Sequence, residues 1–353
     1  MLTSLSHFLH EHFLWFLLCS YVLAAFFPSF GLWMRNLAVR DIDLFREETT
    51  ITLPMLMLAI LLFNAGLGVK ISELRNLLRS PLALIAGLAA NLAIPIVFIF
   101  AVNQGMRFWH NSDEVQNILV GLALIASMPI AGSSTAWSQT ANGNLALSLG
   151  LVLFSTFLSP VTTPAVLHAV GLMATGEYAS QLHSLAAYGT GAFLLACVLA
   201  PSLLGIGMHW VAGEARIATV QPQLKLLNLV NLLLLSYSNA SVSLPQTVAN
   251  PDWDFLAVTL AIVVSLCALA FASGWLIARL LNADRAQQAS LMFGLGMNNN
   301  GTGLVLASMA LAAYPRVLLP IIFYNLVQHL AAGGVDLVLS LTRVKETQRA
   351  ALG

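Results

Sequence analysis

The stretch FGLGMNNNGTGLVL, residues 293–306, sets three consecutive amides, Asn298, Asn299 and Asn300, among Gly294, Gly296, Gly301 and Gly303, with long apolar runs on both sides. Hydrophobic residues fill 58% of the 353 positions and charged ones 8%, against roughly 25% charged in an ordinary soluble domain. The charges fall between the apolar runs, which reach the ~20 residues a helix needs to cross hydrocarbon. The sequence is that of an integral, all-α membrane protein, and the quoted stretch asks why such a chain buries three amides in a row.

Apolar runs between polar punctuation give ten segments, near 13–33, 51–69, 81–103, 116–140, 144–169, 187–211, 224–245, 254–281, 287–314 and 316–342. The run from Phe13 to Phe30 has no Lys or Arg before it and no clear small-residue cleavage site after it, so it is expected to be the first span rather than a leader. An even number of spans puts both termini on one side. With that side cytoplasmic, alternate loops divide ten Lys and Arg inside against five outside, the sense the positive-inside rule favours. The expectation is a multi-pass protein of the cell (inner) membrane with both termini in the cytoplasm. Zero net charge argues against a nucleic-acid partner. Cys19, Cys197 and Cys267 lie dispersed in apolar runs without metal spacing, as small core fillers do.

The fourth and ninth segments are not smoothly apolar. The fourth carries ASMPIAGSSTAWSQTANGN, with Pro129, Gly132 and the hydroxyls of Ser133, Ser134, Thr135 and Ser138 in mid-span. Gly132 and Gly301 are 169 residues apart, and the following segments begin at Asn144 and Arg316, 172 residues apart. Each interrupted segment is thus fourth in a group of five. Because five is odd, the second copy enters the membrane from the opposite side, an inverted repeat of about 11–170 and 187–343. The whole chain, 1–353, reads as one transmembrane transporter domain with no soluble domain.

An unpaired peptide group in hydrocarbon costs several kcal/mol, so broken helices survive only where protein or a wet cavity satisfies them. Freed N–H groups of one half-helix carry partial positive charge and freed carbonyls of the other can coordinate a cation. Two breaks meeting near the midplane build one composite site from Ser133, Ser134, Thr135, Ser138, Asn298, Asn299 and Asn300. The plainer alternative is that these side chains tie helices together, at roughly 0.6 to 2 kcal/mol each. Paired, symmetry-placed clusters with Pro and Gly favour the site.

These residues resemble a known family. MPIAGSSTAWSQTANGNLALSLGLVLFSTFLSPVTTPAVL (128–167) is similar to the fourth and fifth spans of the bile acid:sodium symporters, GLGMNNNGTGLVLA (294–307) to their ninth, and LFNAGLGVKISELRNLLRSP (62–81) to their second span and following loop. The resemblance implies ten helices in a panel and a core, the fourth and ninth broken and crossing. It also implies alternating access and a small organic anion carried with sodium. Position by position, the sodium ligands fall on Ser134 and Thr135, on Ser148, on Asn91, and on Met297 and Asn298, with Val152 where a hydroxyl belongs. Substrate contacts are expected from Ser133, Ser134, Thr135, Asn299 and Asn300 at the breaks, and from His329, which falls next to where the family places a polar substrate contact in its tenth span. The shared sodium-binding glutamate falls on Gly294.

A carboxylate in a low-dielectric site supplies several kcal/mol that neutral oxygens must otherwise replace. Gly294 therefore predicts weak sodium dependence, another coupling ion such as the proton, or uncoupled passage or export on the same fold. Asp336, seven residues after His329 in the tenth segment, is a candidate proton carrier, since intramembrane acids are rare and costly. A channel would want a continuous polar pore. An enzyme would want an activated nucleophile or an H-E-x-x-H set, which the sequence lacks. Related arsenite permeases use a thiol in the fourth span, where this chain has none. The reading is a non-enzymatic secondary transporter in the lipid bilayer, with no cofactor beyond sodium, expected to act as a monomer.

Overall fold

The computed structural model describes residues 12–44, 47–69 and 81–352. The helices are α1 (Phe13–Phe26), α2 (Ser29–Asn36), α3 (Leu53–Leu67), α4 (Pro81–Gly105), α5 (Ser112–Ser127), α6 (Ser133–Thr140), α7 (Leu145–Gly171) and α8 (Gly176–Ser184). They continue as α9 (Thr190–Leu194), α10 (Ala200–Ala212), α11 (Glu214–Ala240), α12 (Leu244–Ala249), α13 (Trp253–Leu280), α14 (Arg285–Gly296), α15 (Asn300–Ala310) and α16 (Leu318–Leu352). Two π-helical turns, Leu185–Gly189 and Leu195–Leu199, join α8, α9 and α10 into one winding rod.

Among the described residues, five helical stretches are long and apolar enough to cross a membrane: Pro81–Phe108, Leu145–Gly171, Thr190–Ala212, Trp253–Leu280 and Pro315–Thr342. The other expected segments take different forms. Segment 13–33 is not one straight span: α1 and α2 meet at 92° across Phe27–Pro28. Proline cannot donate its missing N–H to the preceding turn, and α1 alone, 14 residues, covers about 21 Å. The 51–69 segment holds the 15-residue α3, started by Pro54 in its first turn. Most of the 224–245 segment lies in the 27-residue α11, where Asn228 and Asn231 interrupt the apolar run, and its last residues run past Ala240 to the start of α12. Between α2 and α3 stands a feature the all-helical expectation lacks, an antiparallel hairpin of β1 (Ala38–Leu44) and β2 (Glu47–Thr52) pairing Leu44 with Glu47 and Ala38 with Thr52. Residues 70–80 of the 62–81 motif, with Lys70, Arg75 and Arg79 of the charge count, and Arg46 lie outside the described residues.

Both segments expected to be broken are broken. The first half-helix of the fourth ends at Ser127 and the second starts at Ser133; those of the ninth end at Gly296 and start at Asn300. α3 lies against α10 and α11, with α1 and α2 also on α11; α4, α5 and α7 pack on one another, and α13 lies against α4, α14 and α16. The half-helices α6 and α14 pack on one another, and α15 reaches over to α11 and α3.

Candidate functional site

The two breaks are joined through their backbones. Ile130 and Asn298 form an isolated antiparallel bridge, with Ala131 N–H donating to the Met297 carbonyl at 2.9 Å and Asn299 N–H to the Pro129 carbonyl at 2.8 Å. That pattern turns the N–H groups of Ile130 and Asn298 outward, where each needs another acceptor. The helix following each break supplies one: Ser155 Oγ of α7 accepts from Ile130 at 3.0 Å and Gln328 Oε1 of α16 accepts from Asn298 at 3.1 Å. The carbonyls freed at the ends of the first halves are met alike. Thr163 Oγ1 donates to Ser127 O at 2.5 Å and Tyr324 Oη to Gly296 O at 3.4 Å. One solution is therefore used twice, with α7 serving the first break and α16 the second.

The polar atoms of the three amides divide between those with hydrogen-bond partners and those without. Asn299 caps α15, its Oδ1 accepting from Thr302 N–H at 3.3 Å. Asn298 Nδ2 donates to the Ile125 carbonyl at 3.0 Å. What remains is Asn298 Oδ1 and both polar atoms of Asn300, which are buried and have no partner among the described residues. Such a group costs about 1–3 kcal/mol if left unpaired. The tying role thus explains part of the cluster and leaves the rest with unspent hydrogen-bonding capacity.

A cavity of about 430 Å³ opens beside the bridge. Ser133, Thr135, Asn298, Asn299, Asn300 and His329 all line it; Ser134, Ser138, Ser148, Asn91, Met297 and Asp336 do not. Ser138 instead shares a 2.7 Å hydrogen bond with Ser290 of α14, and Ser148 donates to Thr135 Oγ1 at 3.1 Å. Asn91 faces a small separate void beside Ser127, Pro129 and Ser155, and its Oδ1, like Ser134 Oγ, has no partner among the described residues. Asp336 sits half-buried near the end of the described side chains, away from the cavity. Sequence reasoning missed Asn64, Asn228, Asn325 and Gln328, which also line the space. Asn64 Nδ2 donates to Asn228 Oδ1 at 2.8 Å, and Asn325 donates to Tyr21 Oη at 2.8 Å. Asn325, Gln328 and His329 stand at i, i+3 and i+4, one face of a helix, a polar stripe legible in the tenth segment. No Asp, Glu, Lys or Arg lines the cavity, and His329, against whose ring Phe13 packs edge-on at 5.2 Å, is its one ionisable group among the described residues.

The sodium that the family pattern implies can be tested against these residues. Ser134 Oγ, Asn298 Oδ1 and Asn91 Oδ1 are neutral oxygens with capacity to spare. The carboxylate position is another matter. A Cβ placed on Gly294 would stand 2.8 Å from Leu151 Cδ1, and one on Gly87 would stand 2.7 Å from Leu151 Cδ2. Leu151, fully buried, occupies that space at the centre of an apolar cluster with Leu147, Leu291 and Leu295. The carboxylate that would complete the donor set is missing, and a leucine fills its place.

Comparison with known proteins agrees with the architecture. The model of the Sodium Bile acid symporter family matches residues 55–250. The chain is 27% identical over 277 residues to the uncharacterized protein YbaS of Bacillus subtilis, covering 78% of this chain and 84% of that one. It is 25% identical over 283 residues to the uncharacterized sodium-dependent transporter YocS of the same organism, covering 79% and 81%. It is 23% identical over 252 residues to the probable sodium/metabolite cotransporter BASS1, chloroplastic, of Oryza sativa subsp. japonica, covering 70% of this chain and 56% of that protein. With the family model spanning more than half its length, the chain belongs to the Sodium Bile acid symporter family, as a multi-pass membrane transporter.

Proposed function

We propose that the protein carries a small organic anion across the membrane by alternating access, through ten membrane segments in two inverted repeats. The panel is α1–α3 with α10–α12, and the core is α4–α7 with α13–α16. The observation that carries this reading is the bridged pair of helix breaks opening on a cavity lined, among the described residues, by amides with unpaired groups and by no Asp, Glu, Lys or Arg. A carboxylate or sulfonate there is held by the N-terminal ends of α6 and α15 and by Asn300, while Asn64, Asn228 and Gln139 read the rest of the molecule. A single anionic group suits the site, since neutral donors stabilise one charge without leaving a buried cation when it departs.

Gly68, Gly132, Ala136 and Gln139 are exposed along one end of the cavity. At the opposite end Ser308 Oγ donates to Asn239 Oδ1 at 3.0 Å, and Arg35 donates to the Ser308 carbonyl. With the termini cytoplasmic, as the loop charges favour, this is an inward-open state, closed outside where α2, α11 and α15 meet. Release and rebinding then need the core to shift against α3 and α11, breaking the Ser308 contacts. The leucine beneath Gly294 supports transport that does not rely on the family's carboxylate-held sodium. A proton-coupled form is the second reading, favoured by His329 being the ionisable group in the cavity; Asp336 has no place in it.

The test is thermal unfolding of the purified protein across a panel of carboxylates and sulfonates, in sodium and in potassium salts, followed by uptake of the hits into proteoliposomes. A true ligand raises stability by about 2.7 kcal/mol at a hundredfold its Kd, and Asn300→Ala removes that rise without lowering the ligand-free midpoint. Retention of the full rise in Asn300→Ala overturns the site.

A further inference from the structure

A second concavity, of about 840 Å³, lies between α13 and α16 and shares no lining residue with the transport cavity. Its walls are apolar and partly hollowed by small residues, Ala268 and Ala272 on α13 against Ala331 and Gly334 on α16. One end is different. There Arg279, in the last turn of α13, lies over the ring of Trp275 at 5.1 Å from its centroid, and Arg285, opening α14, joins the lining. Among the described residues, no Asp or Glu lines the groove.

The dimensions match one leaflet. From Arg279 back to Ala268 is eleven residues along α13, about 17 Å at the helical rise, just over half of a ~30 Å hydrocarbon core. Tryptophan and arginine are the side chains that settle at the headgroup level of a bilayer, so the basic end lies at the interface and the hollow runs toward the midplane. An arginine meets a phosphate through two parallel N–H donors, and the apolar trough below it accepts an acyl chain.

From this we propose that the α13–α16 groove is a binding site for one phospholipid with an anionic headgroup, its phosphate on Arg279 and Arg285 and a chain along Ala272 and Phe271. The deep end of the trough touches the machinery of the crossing. Phe271 lines the groove, its ring presses on Gly296 where α14 ends, and it packs edge-on to Phe293 at 6.1 Å. A chain seated there braces the ring that braces the break. Lipid binding itself is independent of which substrate the central cavity takes.

The experiment uses the full-length protein in a neutral detergent, titrated with dioleoyl phosphatidylglycerol or dioleoyl phosphatidylcholine. Retained lipid is counted by native mass spectrometry and the unfolding midpoint is followed in parallel. The wild type prefers the anionic lipid by about fivefold for each arginine engaged. Arg279→Gln loses that factor, and Arg279→Gln with Arg285→Gln brings the two lipids to parity. Ala272→Trp, at an exposed position on the trough wall, fills the channel and lowers retention of both lipids while the lipid-free midpoint holds. Equal retention of the two lipids by the wild type overturns the proposal, as does a preference that survives the double substitution. Stabilisation by inorganic phosphate equal to that by phosphatidylglycerol also overturns it, because the trough then contributes nothing.

Discussion

Putting a carboxylate at position 294 tests the sodium argument directly. In Gly294→Glu alone, the new Cβ lies 2.8 Å from Leu151 Cδ1, an overpacking that costs about 1–3 kcal/mol, and the carboxylate is buried without a partner. Leu151→Ala alone removes a fully buried side chain at about 2–5 kcal/mol. Combined, the two changes open the space and supply the carboxylate that the family pattern groups with Ser134, Asn91 and Asn298, whose free oxygens have no partner among the described residues. If the restored site binds sodium with a Kd near 1 mM, about 100 mM sodium returns about 2.7 kcal/mol, most of what the leucine supplied. The assay is thermal unfolding in sodium chloride against potassium chloride at equal ionic strength. The wild type is expected to melt identically in the two salts, both single variants to melt lower in both, and the double variant to rise in sodium only. A saturable, sodium-specific stabilisation of the wild type at millimolar salt, or steep sodium-driven uptake into proteoliposomes, would refute the reasoning, since the neutral oxygens would then suffice.

Three further outcomes are expected. Ser155→Ala and Gln328→Leu each strip the acceptor from one N–H of the Ile130–Asn298 bridge, costing about 1–3 kcal/mol; because both act on one bridge, the double variant's unfolding free energy departs from the sum by about 0.5 kcal/mol or more. A Cβ on Gly66 or Gly205 falls inside van der Waals contact of the Ser202 or Phe63 carbonyl, backbone on backbone between α3 and α10, so Gly66→Ala and Gly205→Ala lower the midpoint. Gly105→Ala, with open space around it, leaves the midpoint level or slightly raised. Under the proton-coupled reading, His329→Gln abolishes stimulation of uptake by an inward proton gradient while leaving counterflow exchange intact; a gradient response that persists in His329→Gln removes that reading.

Much of this was legible in the chain because hydrocarbon punishes irregular backbone. Pro129, Gly132 and the Gly/Asn run from 294 could stand in apolar segments only if something paid for the lost helical hydrogen bonds, and the bridge with its Ser155 and Gln328 acceptors is that something. The pairing itself was not legible, because residues 130 and 298 meet through topology rather than local pattern. Pro28 was visible, yet hydropathy counts apolar residues without regard to direction, so a run bent through 92° scores as one span. The β-branched run at 49–52 is strand-prone by composition, but a short polar stretch between spans reads as loop.

Leu151 was the least visible residue and carries the most weight at the ion position. A leucine in an apolar helix announces nothing, and only its neighbours give it meaning: Gly87 on α4 and Gly294 on α14 leave the room that its two methyl groups fill. Two small residues and one large one on three different helices thus make a single packed unit. Restoring a glutamate without shrinking the leucine overfills that unit, and shrinking the leucine without a glutamate empties it. Under the proposed reading, a carboxylate at position 294 therefore needs a smaller residue at 151, and either change made alone is expected to lower the unfolding midpoint.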